Sequence, residues 1–576
     1  MSVDTAEGSP ARGFTARLHS VARSFHPAGL VGALLFFAWS MTPSLLPRPW
    51  YLQGVATGIS MAIGYGIGCG IAWAVRRCGI SPQWAAPTRR RGWWLLAATA
   101  TVVVPTFLVV GSVWQQRIRE LVGVEQAYRT LYLPALVVAL VVGLALVGIG
   151  RALRSGVDGL ARQIARVGWM TPVARVTALG LVVVLGVLFA NGVLHRGLLT
   201  LAERSAHAAD LSTAEGVVQP ASAERSGSPH SNEAWDTLGR EGRTFVAGGP
   251  TAEQIAQVTQ APAMTPIRAY AGRESADSVT GIAEHVVAEL ERTNAFDRKV
   301  LAVVTTTGRG WINPNVANAF EYINGGNTAI AAMQYSFLPS ALSFIADRDT
   351  PQEAGRALFE QVHAAWAQRP ENRRPKLVVF GESLGSYGGQ SAFASGSDIV
   401  ERTDGALFVG TPNFAQPWGR ITDTRDSGST ERLPVVDDGR HVRFASRPED
   451  TALPGNWEAS RVVYWQHASD PITWWSFDLA LRQPDWLRES PGPDVYPGMR
   501  WLPIVTFWQV TLDMIFSADV PAGAGHTYGP DAVYLWAQIL QPQEVDSERV
   551  HRIYVAMAAP ESKSLTNATA LLDPTE

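Results

Sequence analysis

Residues Lys376–Tyr387 read KLVVFGESLGSY. The apolar run Leu377–Phe380 predicts a strand, and Gly381-Glu382-Ser383-Leu384-Gly385 follows it at once. A strand that turns sharply into a helix at Ser383 holds the hydroxyl on a strained apex above the sheet end, placed to attack a carbonyl. Gly381 and Gly385 suit such a turn because a Cβ at either flank would meet neighbouring backbone. The chemistry implied is nucleophilic acyl transfer. A bare G-x-S-x-G also describes an ordinary glycine-rich turn, so the serine's partners have to decide.

A serine hydroxyl is a weak nucleophile that needs a base, and the base needs a carboxylate to orient it. Where the serine sits on such an elbow, the chain order is serine, then acid, then histidine. Asp470, in HASDP directly after the strand-like RVVYWQ (Arg461–Gln466), takes the acid position, although an aspartate before proline is also a common turn residue. His526, in GAGHTYG ahead of a helical stretch over Ala532–Leu540, takes the base position. His467 precedes the acid and reads as a supporting residue. His285, His363 and His441 fall on helix faces or in the long insertion after the elbow. The oxyanion of an acyl-transfer intermediate needs backbone N–H donors. One is the amide of Leu384; the other is expected from the loop Thr305–Trp311, at Gly308 or Arg309.

Composition narrows the alternatives. The 576 residues exceed one ordinary domain, and the net charge is −3. The basic residues are nearly all arginine, the lysines being Lys299, Lys376 and Lys563. No basic tract with interleaved aromatics suggests nucleic-acid binding. Cys69 and Cys78 are the two cysteines, and everything after them is cysteine-free, which excludes a disulfide framework, a cysteine-based zinc site and a cysteine nucleophile. No cofactor or metal motif appears.

Five charge-free stretches approach the roughly 20 apolar residues that a bilayer crossing takes: Ala28–Leu46, Tyr51–Val75, Trp93–Trp114, Leu131–Gly150 and Val176–Leu194. Arginines crowd alternate loops. Arg12, Arg17 and Arg23 precede the first stretch; Arg76, Arg77 and Arg89–Arg91 follow the second; Arg151, Arg154, Arg162 and Arg166 follow the fourth. Arg48 and the set Arg117, Arg119 and Arg129 fall in the sparser loops. Positive-inside bias then puts the N-terminus in the cytoplasm and, with five spans, everything after Leu194 outside a cell membrane. The G-x-x-x-G spacings of Gly54–Gly70 suit close helix packing within one subunit, and Arg151–Val167 has the pattern of an interfacial helix.

The expected architecture is an α-helical transmembrane bundle of five spans over residues 1–207, a flexible linker over 208–234, and an α/β-hydrolase domain with a mostly parallel sheet over 235–576. The linker is rich in Ala, Ser, Glu, Gly and Pro. Beyond it, strands and helices alternate: PIRAYA (from Pro266), VLAVVT (from Val300), AIAAMQYSF (from Ala329), the elbow strand, GALFV (from Gly405) and RVVYWQ make five or six parallel strands. An insertion around 471–520 carries Trp474, Trp475, Trp486, Trp501, Phe507 and Trp508. It suits an acyl-binding wall or an interfacial surface, or simple core packing.

With these residues in place, the chain resembles a family of actinobacterial multi-pass membrane α/β-hydrolases. The strings WDTLGREGRTFV (from Trp235), FDRKVLAVVTTTG (from Phe296), FGESLGSYGG (from Phe380), GALFVGTPNF (from Gly405) and WQHASDPITWW (from Trp465) carry the resemblance over nearly the whole length. It implies a helical membrane domain followed by a hydrolase-like catalytic domain. Three functions compete: hydrolysis of a carboxylic ester, of lipid or envelope glycolipid origin; acyl transfer to a sugar, lipid or protein hydroxyl by the same triad; and a non-catalytic envelope scaffold, against which the intact Ser/Asp/His set argues.

Overall fold

The computed structural model describes residues 25–80, 85–124, 132–166, 170–189, 192, 196–338, 340, 343 and 347–559. Arg12, Arg17, Arg23, Arg129, Val167 and Leu194, on which parts of the span and charge reading fall, lie outside them. The chain forms two compact units. One comprises Met1–Val183 with Phe477–Gln483 and Tyr496–Phe516; the other comprises Val184–Ser476, Pro484–Val495 and Ser517–Glu576.

The helical unit contains α1 (Pro27–Ser40), α2 (Trp50–Arg77), α3 (Ala86–Leu121) and α4 (Leu133–Ala165), and α5 (Thr171–Phe189) leads out of it. Four helices, α2 to α5, are long and apolar enough to cross a membrane. The first expected span, Ala28–Leu46, is not matched by a fifth long helix among the described residues. With 14 residues, α1 is about 21 Å long, short of a hydrocarbon core of about 30 Å. The arginine-rich stretch after Gly150 is not a separate interfacial helix either, because α4 runs through it without a break over 33 residues.

Small residues set the packing. A Cβ at Gly32 would lie 2.1 Å from the carbonyl oxygen of Gly64, so α1 and α2 touch backbone to backbone. Gly54 and Gly58 of α2 face Ala135, Ala139 and their neighbours on α4. The G-x-x-x-G spacing is thus used inside this one chain.

Where α1 ends, its unsatisfied carbonyls are met by side chains, one local and one from far along the sequence. Gln53 Nε2 donates to Ser40 O (2.9 Å) and Gln509 Nε2 to Thr42 O (2.9 Å). The irregular stretch that follows is buried, and the amides of Leu45 and Leu46 donate to Asp513 Oδ2 (3.2 and 3.4 Å). Arg48 Nε lies 3.3 Å from Asp513 Oδ1, both side chains fully buried. Irregular backbone at membrane depth is tolerated only when protein satisfies it. Here the satisfying groups come from the helix Val505–Asp513, which belongs to the C-terminal half of the sequence.

The second unit is built on a seven-stranded, fully parallel sheet in the order β1-β3-β2-β4-β5-β7-β6. The strands are β1 (Ile267–Ala271), β2 (Val300–Thr305), β3 (Thr328–Met333), β4 (Lys376–Glu382), β5 (Gly405–Val409), β6 (Val442–Ala445) and β7 (Arg461–Trp465). They are buried nearly end to end, as strands covered on both faces must be. The sequence pattern misses β6, which has four residues and carries a charge. Arg443 is accommodated because its guanidinium donates to the carbonyls of Gly439 and Thr451 (2.8 and 2.6 Å) and stacks on Trp457.

The stretch expected to be a flexible linker is built into this unit. Arg196–Asp210 is helical. Farther on, Arg268 N donates to Glu224 O (3.0 Å) and Ser226 N to Arg268 O (3.1 Å), so the segment runs along β1. Ser226 Oγ and Ser231 Oγ donate to the buried Glu289 carboxylate (2.7 and 2.8 Å). Its serines are hydrogen-bond partners and not flexible filler.

Asp513→Ala should destabilise the helical unit by about 3–5 kcal/mol, since it strands Arg48 without a counter-charge and two amides without an acceptor. Thermal unfolding in detergent measures this. An unchanged melting temperature would mean that the Val505–Asp513 helix contributes nothing to the unit's stability.

Candidate active site

Three neighbouring strands, β4, β5 and β7, deliver the site at their C-terminal ends, where ligands bind in open parallel sheets. Ser383 follows β4 with φ 57° and ψ −122°, a left-handed conformation that a serine adopts only when its surroundings force it. The force is visible on both sides. Ser383 N donates to Val409 O on β5 (2.9 Å), and the helix Leu384–Gln390 starts at once. Gly385 allows the close turn, because a Cβ there would lie 2.2 Å from Thr305 O. As the first helical residue, Leu384 has an N–H with no carbonyl one turn earlier to receive it.

Asp470 follows β7 and is fully buried. Its Oδ1 accepts from Ile472 N (2.9 Å), and its Oδ2 takes His526 Nδ1 (2.7 Å) and the Tyr528 hydroxyl (2.8 Å). With Nδ1–H committed to Asp470, the proton-accepting position of neutral His526 is Nε2. That atom is buried and has no hydrogen-bond partner among the described residues. The His526 ring lies against Gly410, where a Cβ would be 2.5 Å from Cε1. Ser383 thus borders Val409 and His526 borders the next residue, Gly410. Burial disfavours the imidazolium, but the Asp470 carboxylate and its hydrogen bond, with Glu382 adding to them, raise the His526 pKa above its ordinary value.

His467 occupies the supporting place the chain order suggests. It is buried, its Nδ1 donates to Gly525 O (2.9 Å), and its ring stacks on Tyr528 at 4.2 Å. Burial lowers its pKa, so it is a neutral prop for the loop that carries His526. Trp474 is also structural: fully buried, it donates Nε1–H to His467 O (3.0 Å) and packs on Trp486. It belongs to the core beneath the acid loop, so it does not form an accessible acyl wall. In the loop Thr305–Trp311, Ser336 N donates to Gly308 O (3.1 Å) and Gly310 N to Thr307 O (2.8 Å), and the loop's first carbonyl abuts Gly385.

The sequence reading overlooks two residues. Tyr528, two positions after His526, is the second hydroxyl or ring donor on Asp470. Glu382, between Gly381 and Ser383, is a buried carboxyl that accepts from Asn313 Nδ2 (2.6 Å). Asn313 Nδ2 also reaches Tyr528 O (3.1 Å). Burial pushes the Glu382 pKa up to about 7, with Asp470 adding to the rise while His526 and Asn313 oppose it. The signal for Glu382 was present: a charged residue at the end of an otherwise apolar buried strand.

A family model described as the alpha/beta-hydrolase family matches residues 267–553, and one described as the alpha/beta-hydrolase family N-terminus matches residues 41–250. The chain belongs to this alpha/beta-hydrolase family. Among curated proteins and solved structures none matches it. In this family member every element that holds Ser383, Asp470 and His526 falls inside the matched region 267–553.

Glu382 makes a testable contribution to pH dependence. Its folded pKa of about 7 exceeds the ordinary 4.5, so between these values the folded state retains a proton that the unfolded state has lost. Stability should therefore fall as pH rises through this window, by up to roughly 3 kcal/mol. Glu382→Gln keeps an acceptor for Asn313 and should flatten the slope, making the variant the more stable form at pH 8. Identical slopes between pH 5 and 8 in chemical denaturation would contradict this assignment.

Proposed function

We propose that the protein is a membrane-bound serine hydrolase that cleaves carboxylic esters, those of lipids or envelope glycolipids, through an acyl-Ser383 intermediate. The observation that carries this reading is the strained Ser383 beside a His526–Asp470 pair whose Nε2 is uncommitted. Ser383 Oγ attacks the ester carbonyl and gives its proton to His526 Nε2. The resulting imidazolium is balanced by Asp470, which is also held by the Ile472 amide and the Thr473 and Tyr528 hydroxyls. The oxyanion is received by the Leu384 amide and by a second amide in the loop Thr305–Trp311, at Gly308 or Arg309. Collapse of the intermediate expels the alcohol, which takes the proton from His526 Nε2. A water activated by the same nitrogen then attacks the acyl carbonyl, and the acid leaves with Ser383 restored.

The lipid substrate class is supported by four helices able to cross a bilayer in the same chain as the triad. The proposed orientation places the arginine-rich ends of α2, α3 and α4 in the cytoplasm. The loop at Val218, which is exposed, is then outside the cell membrane.

Ser383→Ala should abolish labelling by a fluorophosphonate probe and lower ester turnover on the order of 10⁴-fold. His526→Ala should match it, and His467→Ala should be milder. Undiminished labelling of the serine variant would sink the elbow assignment, and a reversed order of the two histidines would reassign the base.

Sidedness has its own readout. A membrane-impermeant maleimide should label Val218→Cys on intact cells but reach native Cys78, at the arginine-rich end of α2, only after permeabilisation. The opposite pattern would place the hydrolase unit in the cytoplasm.

A further inference from the structure

Phe477–Gln483 and Tyr496–Phe516 are encoded in the hydrolase half of the chain, yet they pack into the helical unit. Their outward surface is apolar in a way that solution does not account for. Phe477, Leu481 and Ile515 are 70%, 77% and 61% exposed. They sit among other aromatic side chains of the same unit. Phe477 stacks on Phe507 at 6.0 Å; Ile515 lies in the 3-10 turn Met514–Phe516 that continues Phe507's helix; and neighbouring Phe516 meets Tyr51 at 6.4 Å. Trp50 and Tyr51, both partly exposed, open the spanning helix α2. The patch therefore continues the apolar face of the spans at one end, where aromatic side chains collect between hydrocarbon and headgroups. The one charged residue between Val505 and Phe516 is Asp513, and it is buried against Arg48 and not turned outward. Exposed Asp478 and Arg482 flank Phe477 and Leu481, as they would on an element lying in the interface and not crossing it.

We infer that Phe477–Gln483 and the helix starting at Val505 form an interfacial lipid-binding element, with Phe477, Leu481 and Ile515 in the headgroup–acyl boundary of the bilayer. The occupant is lipid because the surface is continuous with that of membrane-spanning helices in the same compact unit, and the inference rests on reading those helices as spans. Its place in the chain gives it functional weight. The element begins just after the loop of Asp470 and ends at Phe516, and the carbonyl of the next residue, Ser517, accepts from His526 N (2.6 Å). The loops that carry Asp470 and His526 are thus close in sequence to this element.

Full-length protein, with Cys69 and Cys78 replaced by alanine, can carry single cysteines at Phe477, Leu481 or Ile515, labelled with an environment-sensitive NBD dye in phosphatidylcholine–phosphatidylglycerol vesicles. All three positions are exposed, and three sites guard against one variant failing to fold. The expected result is blue-shifted emission, quenched several-fold more by lipids bearing a shallow nitroxide than by aqueous iodide. Val218→Cys should show the reverse. Val137→Cys on α4 should be quenched by deep nitroxides, and failure there would remove the membrane reading itself. If Val137 behaves as expected while Phe477, Leu481 and Ile515 respond like Val218, the interfacial element is overturned.

Discussion

The buried carboxylate of Asp470 organises the candidate site. One oxygen caps the short helix that follows it, and the other gathers His526 and Tyr528 from a loop more than fifty residues later. Without that convergence, His526 would have neither a fixed tautomer nor a fixed position. A carboxylate with no access to water has to be satisfied in this way, because each unmet lone pair in a buried site is costly. The same need explains why His467 and Trp474 are buried around it: they brace the two loops that Asp470 joins.

Glu382 adds a second carboxyl to this environment. Its one hydrogen-bond donor among the described residues is Asn313, and burial pushes its pKa up to about 7. The site thus contains one carboxylate held by several donors and one carboxyl that titrates near neutrality.

Ser383 and Asp470 could be singled out in the sequence because each follows an apolar strand and opens a turn, and His526 because it lies in a glycine-flanked loop ahead of a helix; the parallel strands are near-continuous apolar runs. Tyr528 and Glu382 were not singled out because their roles depend on which loops meet in space. The strand β6 was hidden because four residues containing an arginine lack an apolar pattern, and Arg443 is accommodated by carbonyls that only the fold supplies. The span count and the linker failed for a related reason. Charge-free length overstated α1, whose helix stops at Ser40 where distant Gln509 and local Gln53 take over its carbonyls. Polar composition suggested flexibility in a segment whose serines and backbone are in fact paired with β1 and Glu289. The aromatic insertion was ambiguous in sequence and is divided in the structure: Trp474 and Trp486 are core, while Phe507 and Trp508 belong to the helical unit.

The account turns on acyl-Ser383, and the intermediate can be sought directly. Detergent-solubilised protein mixed with a long-chain p-nitrophenyl ester and acid-quenched within the first turnover should gain the mass of one acyl group, mapped by fragmentation to Ser383 in the Gly381–Gly385 turn. The Ser383→Ala variant should gain none and release no nitrophenol above background. Turnover that persists in the alanine variant, or an acyl group mapped to another residue, would contradict the account.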